Sequence, residues 1–266
     1  MSSFPTEELE GRIVAVTGGA SGIGFAVARA LLERRARVAM IDVNAAALDR
    51  AVSELASGEV TPYVLDVADS AASFALSDRI AAELGPVFGL VTSAGVTAGA
   101  PSAEMNPERW RRVIDVNLSG TFFSAQAFAR QMIARGSGSI VMISSASGLG
   151  GQAGRANYVA SKWGVIGLAK TLAIEWGGSG VRVNVVAPGP IDTELFRKMP
   201  EVFREEVLLS RTPLRRVAQP AEVADAILFL LDPRTAFVTG SVLTVDGGFT
   251  SGFATNDGGR DLALAR

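Results

Sequence analysis

Short apolar runs alternate along the chain with longer stretches in which apolar residues recur every three or four positions. The short runs have the length and the β-branched content of buried strands, and the longer stretches have the period of helices that cover a sheet. The predicted strands are 12–17, 37–41, 60–65, 87–91, 139–143, 181–186 and 242–245, and the predicted helices are 22–34, 45–56, 71–84, 107–135, 157–175 and 220–231. This alternation predicts an α/β fold with a doubly wound parallel sheet of about seven strands and helices on both faces.

No repeat, low-complexity run or linker divides the 266 residues, so a single domain is predicted over 1–266. The segment 190–215 mixes large apolar residues with charged ones, and it predicts a mobile lid that closes on a substrate. A surface helix covered by a partner explains the same pattern equally well. The C-terminal segment 251–266 begins polar and Gly-rich, and it is interpreted as a loose tail or a subunit contact.

The absence of cysteine and histidine narrows the possible chemistry. It excludes disulfides, thiolate nucleophiles, a serine–histidine triad and histidine-ligated zinc, so no metal site is predicted. A net charge of −2 and a pI near 5.4 provide no basic surface for nucleic acid or an anionic membrane. The first ten residues are polar and acidic and no apolar run is long enough to span a membrane, so a cytoplasmic protein is expected.

Acid–base chemistry must then use Tyr, Lys, Asp or Glu, and Tyr158 with Lys162 is the natural candidate pair. On a helix the two side chains stand one turn apart on the same face. A nearby ammonium favours the phenolate, and we therefore expect Lys162 to lower the pKa of Tyr158 from its usual value of about 10. Such a pair can supply a general base, or in reverse a general acid.

A Gly-rich loop follows the first predicted strand and opens the first predicted helix, with glycines at 18, 22 and 24. Glycine lets the backbone approach a pyrophosphate, and the free N–H groups of a helix N-terminus favour an anion there. Asp42 ends the second strand, and its interval from Gly24 is close to the roughly 20 residues expected for a carboxylate that binds the adenosine ribose. Together these features predict a Rossmann-type dinucleotide site.

Taken in order, these motifs resemble those of the short-chain dehydrogenase/reductase family. The resemblance runs from about residue 12 to about residue 250, almost the whole chain, and its motifs are very specific as a set. It implies reversible hydride transfer between a nicotinamide cofactor and a secondary alcohol or ketone. The motifs are the loop 17–24 (TGGASGIG), Asp42, Asn117, Ser145, the Tyr158–Lys162 pair and the Pro188-Gly189 dipeptide.

The resemblance also implies the catalytic roles. Tyr158 would be the general acid or base, Lys162 would hold the nicotinamide ribose, and Ser145 would bind the substrate oxygen. Asn117 would help to hold a water in a proton path near Lys162. Ser145 is preferred over Ser144, which is expected to be structural, because it stands at the family's usual interval before Tyr158. One departure is Thr92-Ser93, where relatives usually have two asparagines that tie neighbouring strands.

NAD is expected in preference to NADP because Asp42 would repel a 2′-phosphate. Ser21 and Val43 stand where NADP-preferring relatives usually carry a basic residue. In the family, residues matching Asp66 and Val67 bracket the adenine, and those matching Ile191 and Thr193 hold the nicotinamide amide. The predicted cofactor-binding residues are Gly18, Ser21, Gly22, Ile23, Gly24, Asp42, Val43, Asp66, Val67, Ser93, Ala94, Gly95, Tyr158, Lys162, Pro188, Gly189, Ile191 and Thr193.

The segment 148–155 is small and mostly apolar, with Gln152 and Arg155 as its obvious polar groups. It suits a neutral alcohol of small or medium size, cyclic alcohols and polyols included. The predicted substrate-contacting residues are Ser145, Ser147, Gln152, Arg155, Tyr158, Leu195, Phe196 and Met199.

Two alternative functions stay open on the sequence. A 3-oxoacyl-(acyl-carrier-protein) reductase is disfavoured by Asp42 and by Ile174, which stands where such reductases commonly carry an arginine that docks the acidic carrier. A non-catalytic regulator that senses NAD is disfavoured because such proteins usually lose the tyrosine or the lysine.

Relatives in this family are typically tetramers, and a homotetramer is expected here. On the helix 157–175, Trp163, Ile166, Lys170 and Ile174 form a stripe at spacings of three and four residues. An exposed stripe of this size would mark a contact surface, although packing inside the same subunit is the alternative.

Overall fold

The computed structural model describes residues 7–199, 201–202, 204 and 208–252, without the side chains of Glu7 and Leu195. Most of the predicted tail 251–266, and residues 200, 203 and 205–207 of the predicted lid, lie outside the described residues.

The described residues contain one seven-stranded parallel sheet in the order β3-β2-β1-β4-β5-β6-β7. The chain crosses from β3 back to β4 on the far side of β1, so the crevice between β1 and β4 is the switch point at which such sheets bind ligands. This confirms the predicted doubly wound sheet. The strands are β1 (Ile13–Thr17), β2 (Arg37–Asp42), β3 (Val60–Val64), β4 (Val87–Thr92), β5 (Gly138–Ile143), β6 (Val181–Pro188) and β7 (Val242–Val245).

Helices cover both faces of the sheet. One face packs against α3, α5 and α6, and the other packs against α1, α2 and α8. The helices are α1 (Gly22–Glu33), α2 (Ala45–Leu55), α3 (Ser70–Leu84), α4 (Pro107–Ile114), α5 (Gly120–Arg135), α6 (Ala156–Gly177), α7 (Glu194–Arg197) and α8 (Pro220–Leu231).

The alternation of side chains along a strand explains how one apolar run builds two cores. In β1, Ile13 and Ala15 join the cluster under α3, α5 and α6, whereas Val14 and Val16 join the cluster under α1, α2 and α8. All five residues of β1 are buried. A strand covered on both faces reads as a continuous apolar run rather than as an alternating one, as the sequence shows.

The helix predicted over 107–135 is interrupted. Pro107 occupies the first turn of α4, and the Asn106 side chain accepts a hydrogen bond from Arg109 N at 2.8 Å. Both residue types are favoured at a helix N-terminus, so the local sequence explains why α4 begins here. Asp115–Ser119 then form a single π-helical turn before α5. Such turns occur mostly at functional sites, and this one contains Asn117.

The predicted lid is not one continuous α-helix in the described residues. It begins with the four-residue helix α7, whose first turn is capped by Thr193 Oγ1 accepting from Phe196 N at 3.3 Å. Of its predicted apolar residues, Phe196 is buried, whereas Phe203 and Val207 lie outside the described residues. Elsewhere, none of the helices in the described part of the chain is long and apolar enough to cross a membrane.

Candidate active site

A cleft of about 1030 Å³ lies across the carboxyl ends of the central strands. Nearly all predicted cofactor and substrate residues line it, except Gly24 and Leu195, whose side chain is not described. Of the predicted catalytic residues, Asn117 does not line it. The lining residues that the sequence predicts are Gly18, Ser21, Gly22, Ile23, Asp42, Val43, Asp66, Val67, Ser93, Ala94, Gly95, Ser145, Ser147, Gln152, Arg155, Tyr158, Lys162, Pro188, Gly189, Ile191, Thr193, Phe196 and Met199.

The glycines of the loop between β1 and α1 are required by close backbone contacts. A Cβ on Gly24 would lie 2.2 Å from Gly18 O, and one on Gly18 would lie 2.7 Å from Ala94 N. Gly18 and Gly22 also have φ values of +64° and +54°, which side-chain-bearing residues rarely adopt. The loop therefore presents bare backbone to the cleft, at the N-terminus of α1, where an anion is favoured.

Asp42 closes this end of the cleft. Its Oδ2 accepts from Ala20 N at 3.2 Å and its Oδ1 accepts from Asn44 N at 3.1 Å, so the carboxylate is held against the glycine loop and the start of α2. Among the described residues, no basic side chain forms an ion pair with it. A fixed, unpaired carboxylate can accept hydrogen bonds from a diol and repels a phosphate in the same place.

Asp66 and Val67 follow β3 at the same end of the cleft. Asp66 Oδ1 accepts from Ala68 N at 3.0 Å, and its Oδ2 pairs with Arg112 Nη1 of α4 at 3.3 Å. Val67 packs against Gly120, where an added Cβ would lie 2.6 Å from Val67 Cγ2. The sequence did not predict the Arg112 contact, which joins two elements far apart in the chain.

The loop after β4 keeps its path despite the missing asparagines. Ser93 N donates to Thr17 O at 3.2 Å, and Ala94 N donates to Thr17 Oγ1 at 3.3 Å, so the threonine that ends β1 joins the two strands. Thr92 Oγ1 is buried and has no hydrogen-bond partner among the described residues.

The loop after β6 brings a second wall to the glycine loop. An added Cβ on Gly189 would lie 2.7 Å from Asp246 Cα, and one on Gly22 would lie 3.5 Å from the Thr193 methyl. The Thr193 hydroxyl oxygen caps α7, which leaves its proton free to be donated into the cleft.

Tyr158 lies in the first turn of α6 and Lys162 in the second, and both line the cleft with Ser145, which follows β5. Lys162 Nζ donates to Ile143 O at 2.9 Å and lies 5.7 Å from the centroid of the Tyr158 ring. The Ser145 hydroxyl lies near enough to the Tyr158 phenol to act on its pKa, and it accepts a hydrogen bond from Ser147 N at 3.1 Å. Tyrosine, serine and lysine are thus brought together at one end of the cleft.

Burial dominates the proton affinities of this pair. It raises the pKa of Tyr158, with the Ser145 hydroxyl and the charge of Arg155 acting in the opposite direction. Burial also lowers the pKa of Lys162 to about 8. The pKa of Tyr158 is thus raised rather than lowered as the sequence led us to expect, because burial outweighs the Ser145 hydroxyl and the charge of Arg155.

Asn117 is fully buried and does not line the cleft. Its Oδ1 accepts from Val96 N at 2.8 Å, and its Nδ2 donates to Val96 O at 3.0 Å and to Ser161 Oγ at 3.2 Å. The side chain therefore ties the loop after β4 to α6, beside Gly95 and Lys162. Its predicted role in a water path stays a prediction.

Sequence reasoning missed Asn157 as a residue that positions Tyr158. Asn157 is fully buried; its Oδ1 accepts from Tyr158 N at 2.8 Å, and its Nδ2 donates to Ala98 O at 3.0 Å and to Arg109 O at 3.2 Å. It thereby fixes the start of α6 to two other segments. The sequence did contain a hint of this role: asparagine is usually unfavourable in a helix, yet Asn157 stands directly before the tyrosine on a predicted helix.

The two serines of the site behave differently. Ser144 is buried and donates to Lys162 O at 2.8 Å, so it holds α6 against β5 and does not reach the substrate space through that hydroxyl proton. Gly148 has no side chain to block the Ser144 hydroxyl from this position, because an added Cβ would lie 2.3 Å from Ser144 Oγ.

The predicted substrate residues surround the tyrosine. Ser147 Oγ donates to Gln152 Oε1 at 2.9 Å. Arg155 Nη1 donates to Thr97 Oγ1 at 2.8 Å, and the Arg155 guanidinium carbon lies 5.9 Å from the Tyr158 ring centroid. Phe196 and Met199 enter from the lid.

The lining residues fit a dinucleotide. The cleft is elongated from the glycine loop, with its bare backbone and helix N-terminus, to the tyrosine, and a carboxylate stands where a ribose diol would bind. When a nicotinamide cofactor binds, it supplies a hydride acceptor or donor; Gly18, Gly22, Asp42 and Lys162 are the residues that would hold it.

Comparisons with known proteins agree with this geometry. A family model described as enoyl-(acyl carrier protein) reductase matches residues 18–250. The chain is 44% identical to galactitol 2-dehydrogenase (L-tagatose-forming) of Cereibacter sphaeroides, over 91% of this chain and 96% of the relative. It is 43% identical to 3-oxoacyl-(acyl-carrier-protein) reductase FabG of Thermotoga maritima, over 90% of this chain and 98% of the relative.

A solved structure, the crystal structure of gox2181, superposes with a TM-score of 0.89 at 36% identity, covering 93% of this chain and 98% of that one. Sequence, sheet order and cleft thus lead to one assignment. The chain belongs to the short-chain dehydrogenase/reductase family and is an oxidoreductase that acts on an alcohol or a ketone with a nicotinamide cofactor.

Proposed function

We propose that this protein is an NAD-dependent dehydrogenase that interconverts a small or medium-sized secondary alcohol and its ketone. The observation that carries the cofactor preference is the Asp42 carboxylate, which lines the cleft, is held by two backbone N–H groups and forms no ion pair with a described basic side chain. A 2′-phosphate beside it would bring two anions together, at a cost that no described cation offsets.

In the proposed oxidation, a bound oxidised nicotinamide would accept the hydride of the alcohol carbon, and Tyr158 takes up the hydroxyl proton. Ser145, which lies beside the phenol, binds the same oxygen and orients it. The raised pKa of Tyr158 keeps the phenol protonated, so it takes up the substrate proton as its own proton passes towards a neutral Lys162, whose pKa is lowered to about 8. The pair as a whole gains one proton.

A second candidate is a 3-oxoacyl-(acyl-carrier-protein) reductase, since FabG of Thermotoga maritima is nearly as similar as the dehydrogenase relative. Asp42 argues against the use of NADPH. Ile174 is 83% exposed on α6, so a surface position at which an arginine would dock an acidic carrier is apolar instead. We therefore favour the free alcohol over the carrier-bound substrate.

An initial-rate screen tests the proposal. Purified protein is mixed with NAD or NADP and each of a series of secondary alcohols, and with the reduced cofactors and the corresponding ketones and acetoacetyl carrier protein. The proposal requires a higher kcat/KM with NAD on at least one free alcohol. A higher kcat/KM with NADPH on the carrier substrate would replace it with the second candidate.

We also propose that the protein assembles as a homotetramer through the outer face of α6. The predicted stripe needs one correction: Ile166 is buried in the core, because α6 turns that residue towards the sheet. The exposed apolar residues of the face are Trp163, at 51%, and Ile174, at 83%. An apolar face of this kind supports a symmetric contact between copies.

A further inference from the structure

The charges that line the cleft are unevenly balanced. Arg112 is paired with Asp66 and Lys198 is paired with Glu194 at 2.7 Å, whereas Asp42 stands alone at the glycine-loop end. The lining residues with charged side chains are Asp42, Asp66, Arg112, Arg155, Lys162, Glu194, Lys198 and Arg211. Once the two pairs are set aside, Lys162 remains beside Tyr158, and Arg155 and Arg211 keep positive charges that no described carboxylate neutralises.

Arg155 is the more informative of these two cations because it stands beside the reacting tyrosine. Its guanidinium carbon lies 5.9 Å from the Tyr158 ring centroid. A single hydrogen bond, from Nη1 to Thr97 Oγ1 at 2.8 Å, fixes the side chain against the loop after β4. Its other N–H donors have no hydrogen-bond acceptor among the described residues, so a positioned donor set faces the cleft.

The local backbone adds to this positive potential. Arg155 precedes the first residue of α6, a helix of 22 residues whose first turn contains no acidic side chain. The N-terminus of such a helix carries a partial positive charge that favours an anion nearby. Helix and guanidinium thus act on the same small region next to Tyr158.

We propose that Arg155 binds a carboxylate of the substrate, so that the enzyme acts on a hydroxy acid and its oxo acid. The planar guanidinium matches a carboxylate with parallel N–H donors, and one such group suffices for a single carboxylate. The hydroxyl-bearing carbon gives up its hydride and its hydroxyl proton as in the proposed oxidation, and the carboxylate stays unchanged. This assignment replaces the neutral alcohol expected from the sequence.

Arg211, which also lines the cleft, supports the same substrate class. It is exposed and lies in a turn near the C-terminal end of the predicted lid, and none of the described residues hydrogen-bonds or pairs with it. A cation at the entrance raises the local concentration of an anionic substrate and accelerates its association.

The inference rests on the proposed function, and a binding experiment separates the two. Protein saturated with NADH is titrated in a calorimeter with cyclohexanecarboxylate and with cyclohexanecarboxamide, and then with butanoate and butanamide. Each pair shares one carbon frame and differs only in the anionic group. We expect the carboxylate of at least one pair to bind tenfold or more tightly than its amide, as for a hydrogen bond to a charged partner.

Variants identify the residue responsible for the preference. Arg155→Gln should remove it, whereas Arg155→Lys should keep part of it because the charge remains without the planar donor set. Lys198→Gln is the matched control: it removes a cation from the same cleft, but one already paired with Glu194, and the preference should persist. Retained NADH affinity shows that a variant is folded.

The outcomes are distinct. Equal binding of both members in each wild-type pair, or a preference that survives in Arg155→Gln, overturns the inference. A lower kcat in Arg155→Gln, with an unchanged ratio of carboxylate to amide affinity, would mean that Arg155 acts only on Tyr158 and does not bind the substrate. That result would also overturn the inference. An enzyme that prefers the carboxylates but oxidises no secondary alcohol would instead defeat the proposed function.

Discussion

The glycine-loop end of the cleft is built from backbone, whereas the tyrosine end is built from side chains. At the first end, Gly18 and Gly24 allow contacts that a single Cβ would block, and Asp42 is held by two main-chain N–H groups. At the second end, Tyr158 is positioned by Ser145 and Asn157. Backbone recognition suits a ligand that is the same in every turnover, and side-chain recognition suits one that differs between relatives.

This difference explains the pattern among the relatives. Two relatives have nearly equal sequence identity to this chain, yet their names give different substrates. They are a galactitol dehydrogenase and a 3-oxoacyl-(acyl-carrier-protein) reductase. A few side chains around the tyrosine can be exchanged without disturbing the sheet, because they stand on loops beyond the strand ends.

The largest effect is expected at the tyrosine end. Tyr158→Phe removes the oxygen that exchanges the substrate proton, and kcat should fall by about 10²- to 10⁴-fold while the affinity for NAD is retained. Steady-state kinetics and calorimetric titration with NAD measure the two effects separately.

The chain supplies a matched control, since its second tyrosine lies elsewhere. Tyr63 is on β3 and donates to Glu83 Oε2 at 2.8 Å. Tyr63→Phe should leave kcat within about twofold and lower the free energy of unfolding by about 1 kcal/mol. A Tyr158→Phe enzyme that keeps a tenth of its turnover, with chemistry rate-limiting, would show that the phenol is not the proton-transfer group.

A smaller effect is expected at the glycine-loop end, because Asp42 acts on one part of the cofactor. Asp42→Ala removes hydrogen-bond acceptors for the ribose and the repulsion of a 2′-phosphate. The ratio of kcat/KM with NAD to that with NADP should fall by about 10- to 100-fold, which corresponds to about 1.4–2.7 kcal/mol.

Asp49→Ala is the control, because it removes an exposed carboxylate from α2. It should leave the ratio of kcat/KM with NAD to that with NADP unchanged, which separates the role of Asp42 from a general effect of negative charge. A wild-type enzyme that is more efficient with NADP would contradict the role given to Asp42.

The pH dependence of kcat/KM tests how Tyr158 and Lys162 exchange protons at the tyrosine end. Burial lowers the pKa of Lys162 to about 8 and raises that of Tyr158, so the pair loses its first proton near pH 8. Oxidation needs the deprotonated pair, and its kcat/KM should rise about tenfold per pH unit below that value and level off above it. Reduction should show the opposite trend.

Lys162→Arg tests the assignment of this step, because a guanidinium does not release its proton. The midpoint should then move to higher pH, where Tyr158 itself ionises. An unchanged midpoint would mean that Lys162 does not take part in the titration.

The smallest effect on catalysis is expected outside the cleft. Ile174→Glu places a charge on the exposed face of α6, far from both ends, and should dissociate the proposed tetramer with little change in kcat per subunit. Light scattering at micromolar concentration gives the mass. Glu175→Gln, on the exposed part of the same helix, is the control. A monomeric wild-type protein with full activity would rule out the assembly.

Several elements of the site follow directly from local sequence. The loop 17–24, Asp42 at the end of β2 and the Tyr158–Lys162 spacing each involve neighbours in the chain, so their geometry is set by one turn or one helix. Contacts between segments far apart in the chain could not be predicted from local sequence. The Asp66–Arg112 pair and the bonds from Asn157 to Ala98 and Arg109 join separate segments, and no local period predicts them.

The sequence by itself determined the parallel sheet, the glycine loop and the acid–base pair, because hydrophobic periodicity, backbone freedom and residue spacing are local properties. Only the tertiary structure decided the proton affinities and the charge of the substrate space. Burial, which depends on the whole fold, raised the pKa of Tyr158 against the sequence expectation. Likewise, Arg155 bears an unneutralised charge because no described carboxylate from another segment reaches it, which no stretch of sequence could reveal.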